Sequence, residues 1–165
     1  MGKSLVIKGA DFSENGIQET TPTLNWYIDS TLNTGSLSSA NRANGGWAFK
    51  EGDMSLLQGK TINRLKLIPS IEGTLNLYKA TSLSGPVTLV ASILIPDADV
   101  NTISVYEFNG FTLGENEVLV IGEANSSAGF KYKTDAGNGF YSKVPSNPSA
   151  SGVLGLNISV GYYGI

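Results

Sequence analysis

The sequence contains no histidine and no cysteine, and these two absences exclude several classes of chemistry. Without histidine, the usual general base of Ser-His-Asp and Cys-His catalysis is missing, and histidine-ligated zinc, copper and non-haem iron are excluded. Without cysteine, the chain can form neither a disulfide nor a thiolate-bound metal site. The side chains that remain for catalysis are carboxylates, lysines, tyrosines and hydroxyls.

Charged residues are also scarce. They make up 15% of the chain, with 11 Lys and Arg against 14 Asp and Glu, which gives a net charge of −3. Proteins that bind nucleic acid usually present a clustered basic face, because neutralised phosphates release counterions. Here the densest basic grouping is Arg64 with Lys66, and the other basic residues are scattered. We therefore expect no nucleic-acid partner.

Long apolar runs are missing as well. No apolar stretch approaches the ~20 residues of a membrane-spanning helix, so no membrane span is expected. The apolar run at residues 5–7 lies between Lys3 and Lys8, and it is too short for the apolar region of a signal peptide. We expect a protein that stays where it is made or leaves without a cleaved leader.

Period-two alternation of apolar and polar residues is the dominant pattern. In residues 154–163, one face of a strand would carry Leu154, Leu156, Ile158, Val160 and Tyr162, and the other would carry Gly155, Asn157, Ser159, Gly161 and Tyr163. The alternation recurs in residues 61–68, 74–79, 102–108 and 117–123, and shorter strands are expected at 4–8, 26–29, 47–50, 130–133 and 140–144. Strands at this spacing predict an all-β protein, a single antiparallel β-sandwich of jelly-roll-like topology over residues 1–165.

Other segments give more local predictions. Val87–Ile95 is almost continuously apolar, which predicts a central strand covered on both faces. Asn109-Gly110 is a dipeptide typical of hairpin turns, and residues 53–58 predict one short turn of helix capped by Asp53. Residues 30–46 and 145–152 are rich in small polar residues and predict surface loops, of which one would contact a ligand in the alternative interpretation.

Three oxygen-bearing side chains alternate in a predicted loop, as Asp97, Asp99 and Asn101. Ligands at alternate positions suit a hard cation such as calcium, which prefers carboxylate and amide oxygens. The EF-hand pattern is excluded, because its sixth position would be Thr102 rather than Gly and its twelfth Phe108 rather than Glu. The favoured interpretation is a polar turn held by Asx hydrogen bonds, with a structural calcium ion as the alternative.

Paired carboxylates are the one standard catalytic arrangement that the composition allows. A glycosidase needs two of them, one with a raised pKa. Glu115 and Glu117 flank a turn, where solvated charges are the simpler explanation, and Glu107 lies in an apolar-rich strand, where an edge position explains it equally well. We therefore do not expect an enzyme.

Aromatic side chains offer a second kind of site. An exposed aromatic face matches the apolar C–H face of a sugar ring, while Asn, Asp and Gln accept the sugar hydroxyls. Strand alternation places adjacent aromatics on opposite faces, so one member of each pair points outward, and Tyr163 rather than Tyr162 is the outward one in its pair. The candidate ligand-binding residues are Trp26, Trp47 and Tyr163, with core packing as the alternative for either tryptophan.

Two stretches carry a resemblance to a known group of proteins. Residues 4–13, SLVIKGADFS, followed by Asn15-Gly16-Ile17, resemble the start of proteins encoded by phages and prophages of gut Bacteroidetes. Residues 110–117, GFTLGENE, are similar to a strand–turn–strand segment in the same group. The resemblance implies a jelly-roll domain that is tail-associated or surface-exposed and contacts host glycans. It makes the expected location virion-associated or cytoplasmic.

Three hypotheses about function follow. The first is a non-catalytic binding or structural module of a phage tail or adhesion apparatus, which binds carbohydrate or a protein surface without a cofactor. The second is a purely structural subunit that forms a homo-oligomer through exposed strand edges. The third is a carboxylate-dependent glycan hydrolase, which would require two half-buried acids close together in a cleft.

Overall fold

The computed structural model describes residues 23–32, 37–41, 46–83, 85–122, 126–133, 139–143, 153–155 and 157–164. The strands in the first half of the chain are β1 Thr23–Ile28, β2 Leu37–Asn41, β3 Gly46–Phe49, β4 Thr61–Leu67, β5 Pro69–Ile71, β6 Gly73–Ala80 and β7 Val87–Ile95. Those in the second half are β8 Ser104–Thr112, β9 Val118–Ile121, β10 Gly129–Lys133, β11 Gly139–Lys143, β12 Val153–Gly155 and β13 Ser159–Gly164. One short helix, α1 Glu51–Met54, follows β3.

Within the described part of the chain, the strands form two antiparallel sheets that pack face to face. The smaller sheet has four strands in the order β1-β13-β4-β8. The larger sheet has nine strands, with the path β2-β10-β12-β11-β3-β9-β6-β7 and β5 paired to β10. Side chains from both sheets meet in one buried cluster, among them Leu65 and Val160 from the smaller sheet and Leu77 and Ile121 from the larger one. This arrangement confirms the prediction of an all-β sandwich, whereas the jelly-roll topology and the single-domain boundary at residues 1–165 stay predictions.

Alternation explains how each strand of the smaller sheet serves two environments. In β4, Leu65 and Leu67 are fully buried, while Arg64 and Lys66, which alternate with them, are only partly buried and lie on the outer face. Burial of a leucine side chain stabilises the fold by roughly 1.5–3 kcal/mol, which fixes the register of the strand. Because side chains alternate along a strand, this register places the two basic residues on the outer face.

The position of β7 differs from the prediction of a central strand. Val87–Ile95 pairs only with β6 among the described strands, so β7 is an edge strand of the larger sheet. Its inward residues Ile93 and Ile95 are buried, whereas Leu94 is 76% exposed and Leu89 is also exposed. An apolar run reports hydrophobicity but not the number of neighbouring strands, which is why the prediction was wrong.

The strongest alternating run of the sequence is also interrupted. Residues 154–163 do not form one strand, because β12 belongs to the larger sheet and β13 to the smaller one. The chain changes sheets between these two strands, where buried Asn157 donates a hydrogen bond from its amide to the Lys131 carbonyl oxygen. The alternation of the sequence runs on through this change, so the period alone does not reveal it.

Three local predictions need correction. Asn109-Gly110 lies within β8 rather than in a turn, and Gly110 sits against Asn63 where β4 has a bulge. The predicted loop at 30–46 contains β2. The helical turn begins at Glu51, and its cap position is Lys50 rather than Asp53. The strand predicted at 4–8 and the loop predicted at 145–152 lie outside the described residues, as do residues 4–17 of the resemblance.

Within the described ranges, no helix has both the length and the apolar character needed to cross a membrane.

Candidate functional site

A row of side chains runs across the outer face of the smaller sheet. Antiparallel pairing places Trp26 of β1 opposite Gly161 of β13, Gly161 opposite Arg64 of β4, and Arg64 opposite Glu107 of β8. Directly opposed residues on one face of a sheet lie about 5 Å apart, so each one contacts the next. The row thus brings an aromatic, a cation and an anion together on a surface that is not part of the core.

Glycine at position 161 makes room for the indole of Trp26. A Cβ atom built on Gly161 would lie 2.7 Å from Cε3 of Trp26 and would also collide with the carbonyl oxygen of Asn25. Any other residue here would push the indole away from the sheet. The absence of a side chain in the middle of the row therefore lets Trp26 lie over β13 and reach the basic residues of β4.

Arg64 lies beside two aromatic rings. Its Cζ atom is 5.5 Å from the ring centroid of Trp26 and 5.0 Å from that of Tyr163, which are cation–π distances. On its other side, Nη2 of Arg64 lies 3.3 Å from Oε1 of Glu107. The guanidinium, held by these contacts, fixes the position of both rings on the outer face.

Tyr163 is presented to solvent and is held through its backbone. The residue is 38% exposed, which confirms that Tyr163 points outward. The Asn63 side chain amide donates to the Tyr163 carbonyl oxygen at 2.8 Å, and the Tyr163 backbone N–H donates to Asn63 Oδ1 at 2.8 Å. Trp26 likewise faces the outer surface, whereas its neighbour Tyr27 packs against the core, as alternation predicts.

A second ion pair flanks the row. Lys66 Nζ lies 4.8 Å from the Trp26 ring centroid and donates a hydrogen bond to Asp29 Oδ1 at 2.7 Å. The hydroxyl of buried Ser159 also donates to Asp29 Oδ1, at 3.3 Å. The hydrogen bond from Lys66 is the main reason that the pKa of Asp29 is lowered, and Ser159 contributes to the lowering. Asp29 is therefore a fixed carboxylate at neutral pH.

A small open pocket of about 260 Å³ adjoins this pair. Asp29 and Lys66 form one wall, and exposed Ile103 forms another. The remaining lining comes from the segment after β1, through Ser30, Thr31 and Leu32. The pocket thus combines hydroxyls, a carboxylate and an apolar patch next to the aromatic row. We call the row, both ion pairs and this pocket together the outer-face site.

Trp47, the third predicted ligand-binding residue, lies elsewhere. It is only 3% exposed and packs between the sheets, with its ring centroid 6.1 Å from that of Phe130 and 5.5 Å from that of Tyr132. This position corresponds to the core-packing alternative, because a side chain buried in the cluster offers no face to a ligand. The structure brings Trp26 and Tyr163 together and separates Trp47 from them.

The Asp97, Asp99 and Asn101 run forms a structured turn. Asp97–Asp99 is a single 3₁₀ turn, in which positions two apart point in different directions rather than toward one centre. Asp99 Oδ2 accepts a hydrogen bond from the Tyr106 hydroxyl at 2.9 Å, and the Asn101 N–H donates to the Pro69 carbonyl oxygen at 2.8 Å. These contacts agree with the polar-turn interpretation, and the calcium ion stays a hypothesis.

Two of the acidic residues considered for hydrolysis, Glu107 and Glu117, are engaged in ion pairs, and Glu115 is exposed on its turn. Glu117 accepts a hydrogen bond from the Gly114 N–H at 2.7 Å and lies 3.0 Å from Lys79 Nζ. These contacts lower the pKa of Glu117, with the Gly114 hydrogen bond as the larger cause. A general acid in a glycosidase needs a raised pKa, so the shift has the wrong sign for that role.

The partners of the aromatic residues were not predicted as site residues. The sequence alone identifies Arg64 and Lys66 only as a basic grouping, and Glu107 only as an acid in a strand. The alternation of Arg64 and Lys66 with Leu65 and Leu67 does indicate that these two basic residues face outward. What no local pattern contains is the cross-strand register that places them beside Trp26 and Tyr163.

Comparison of the chain with protein-family models, with curated proteins and with solved structures finds no match. The resemblance to phage-encoded proteins therefore stays a prediction.

Proposed function

We propose that this protein is a non-catalytic module that binds carbohydrate through the outer-face site. The observation that carries the proposal is the pairing of two partly exposed aromatics, Trp26 and Tyr163, around the guanidinium of Arg64. Aromatic rings held in a fixed position offer apolar area without a large loss of side-chain entropy on binding. Such a surface suits a rigid ligand that has an apolar face of its own.

Sugar rings have this character, because one face carries C–H groups and the rim carries hydroxyls. The outer-face site supplies a partner for each part, with rings for the C–H face and the oxygens of Asp29, Glu107, Ser30 and Thr31 for the hydroxyls. Ligand sites generally combine an apolar surface with a few fixed polar groups in this way. A virion-associated or cell-surface setting, which rests on the resemblance alone, would bring such a face into contact with host glycans.

Binding rather than hydrolysis is favoured by the state of the carboxylates. Glu107 is paired with Arg64, and Asp29 is paired with Lys66, so both acids near the aromatic pair are already engaged by a cation. The pKa of Asp29 is lowered, whereas a catalytic general acid must keep its proton near neutral pH.

The test is a glycan-array screen of the purified protein, with and without calcium. We expect reproducible binding to one glycan class, which Trp26→Ala and Tyr163→Ala each weaken by about tenfold or more. Leu94→Ala serves as the matched control, because Leu94 is exposed on the outer face of the larger sheet. A folded protein that binds no glycan, or variants that bind as well as the parent, would contradict the proposal. A strict calcium requirement for binding would support the hypothesis of a calcium ion at Asp97, Asp99 and Asn101.

Self-assembly is the second candidate function, and β7 is the observation that favours it. This edge strand has nine residues without a charge or a proline, and natural edge strands are usually protected by one or the other. Exposed Leu89 and Leu94 add apolar surface beside the edge. Static light scattering distinguishes the two functions, because self-assembly predicts a mass well above 17.4 kDa and a monomer at high concentration excludes it.

A further inference from the structure

The ion pairs of the outer-face site are not equally exposed on their two sides. The side chains of Glu107 and Asp29 are 54% and 59% exposed, whereas those of their partners Arg64 and Lys66 are 16% and 22% exposed. The cations are covered by the rings of Trp26 and Tyr163, and the carboxylates form the outermost layer. An approaching ligand therefore meets carboxylate oxygens before it meets positive charge.

Among the described residues, each of these two carboxylates also has one oxygen atom that receives no hydrogen bond. Lys66 and Ser159 both donate to Asp29 Oδ1, and Arg64 contacts Glu107 through Oε1. From the part of the chain that the structure describes, no hydrogen bond reaches Asp29 Oδ2 or Glu107 Oε2. A carboxylate oxygen can only accept, so these two atoms need donors from a ligand or from water.

The charges of the site cancel. Two cations and two anions lie within it, and each is paired with a partner of opposite sign. An anionic ligand would face the exposed carboxylates and would have to displace them to reach Arg64 or Lys66. A cationic ligand would compete with those same two residues for the carboxylates. Either replacement exchanges one ion pair for another and gains little at a solvated surface.

From these observations, and resting on the proposed function, we infer that the site takes a neutral, hydroxyl-rich glycan rather than an acidic one. Sugar hydroxyls donate to Glu107 Oε2 and Asp29 Oδ2, while a ring face contacts Trp26 and Tyr163. One sugar unit occupies the 260 Å³ pocket beside Asp29, whose volume lies just below the range of drug-sized ligand sites. Because the site has no net charge, binding depends only weakly on salt.

The experiment is a titration by isothermal calorimetry with two matched sets of hexasaccharides. The neutral set contains maltohexaose, cellohexaose and mannohexaose, and the acidic set contains hexagalacturonate, hexameric α-2,8-sialic acid and a heparin hexasaccharide. Each titration is run at 50 mM and 500 mM NaCl. We expect a neutral glycan to bind with a Kd that changes less than about threefold between the two salt concentrations.

Substitution of the carboxylates gives the sharper readout, because it should weaken the binding of a neutral glycan and strengthen the binding of an acidic one. Glu107→Gln and Asp29→Asn each replace an anionic acceptor, and we expect each to weaken binding of the neutral glycan about tenfold. Glu115→Gln, on an exposed turn outside the site, is the matched control and should leave the Kd unchanged. Thermal unfolding of each variant confirms that it is folded, and the two single substitutions act on different ion pairs.

Three outcomes are distinguishable. Neutral binding that the carboxylate substitutions weaken supports the inference. Binding of the acidic set alone, strengthened by Glu107→Gln or Asp29→Asn and abolished at 500 mM NaCl, overturns the inference but leaves carbohydrate binding by this face intact. Binding of neither set, or binding that Trp26→Ala leaves unchanged, overturns the proposed function together with the inference.

Discussion

The two tryptophans of this chain occupy opposite kinds of environment. Trp47 lies in the space between the sheets, where it packs on Phe130 and Tyr132. Trp26 lies on the outer face of the smaller sheet, where its neighbours are Gly161, Arg64 and Lys66. Both tryptophans belong to short strands, so their difference lies in the residues that neighbouring strands place opposite them.

The contrast shows how cross-strand partners assign a role to an aromatic side chain. Trp47 is opposite Ile121 on one side and Ser142 on the other, and it packs with Ile121 in the core cluster. Trp26 is opposite a glycine, and the next strand supplies a cation. Contact with an apolar neighbour makes Trp47 a core residue, whereas a missing side chain followed by charge leaves Trp26 at the surface.

The largest expected effect tests this contrast directly. Trp47→Ala should lower the free energy of unfolding by about 3–5 kcal/mol, because it leaves a cavity in the core. Trp26→Ala should cost only about 1–2 kcal/mol, since it loses two cation–π contacts at a partly exposed site. Urea unfolding followed by far-UV circular dichroism measures both. Equal losses of unfolding free energy in the two variants would show that Trp26 contributes to packing as much as the buried Trp47 does.

Gly161 provides a second test of why Trp26 lies at the surface. Gly161→Ala should destabilise the protein by roughly 1–3 kcal/mol, because the added methyl group collides with Trp26 and with the Asn25 carbonyl oxygen. The displaced indole should also weaken glycan binding. Gly52→Ala is the control, since a Cβ at Gly52 meets nothing within 4 Å. Unchanged stability and binding in Gly161→Ala would mean that the indole does not depend on this gap.

The tyrosines also differ in environment: Tyr163 is exposed on the outer face, whereas Tyr106 lies on the inner face. Burial, assisted by the hydrogen bond to Asp99, raises the pKa of Tyr106 to about 12, from an ordinary value near 10. Because the folded-state pKa is the higher one, this stabilisation is complete below pH ~10 and disappears as the pH rises toward ~12.

We expect roughly 1–2 kcal/mol of alkaline destabilisation from this group, reduced from the full two-unit value because the hydroxyl is partly solvated. Urea unfolding at pH 9 and pH 11 measures it, with Tyr106→Phe as the comparison. The variant should lose less stability between the two pH values than the parent. Parallel losses in both proteins would exclude Tyr106 as the source.

The smallest change in stability is expected at Leu94, an exposed apolar residue of β7 that belongs neither to the core around Trp47 nor to the outer face around Trp26. Leu94→Lys should change the free energy of unfolding by less than about 0.5 kcal/mol, because Leu94 is 76% exposed. If β7 joins a second copy of the chain, the same substitution should lower the mass measured by light scattering. A mass that is above the monomer value and insensitive to Leu94→Lys would place self-assembly on another surface.

The fold class and part of the site follow from the amino-acid sequence. Alternation in residues 61–68 placed Leu65 and Leu67 inward, and it also placed Tyr163 outward, because side chains on a strand alternate whatever the strand pairs with. The missing histidines and cysteines limited the available chemistry whatever the fold, because no arrangement of the chain can supply an imidazole or a thiolate.

Which side chains become neighbours, by contrast, depends on the tertiary structure. It made β7 an edge, moved the chain between sheets before β13, and buried Trp47 while it left Trp26 at the surface. It also brought Arg64 and Glu107 to the aromatic pair, through strands that are far apart in the sequence. The physical reason is that alternation sets the face of each residue locally, whereas strand order and register are set by the packing of the whole core.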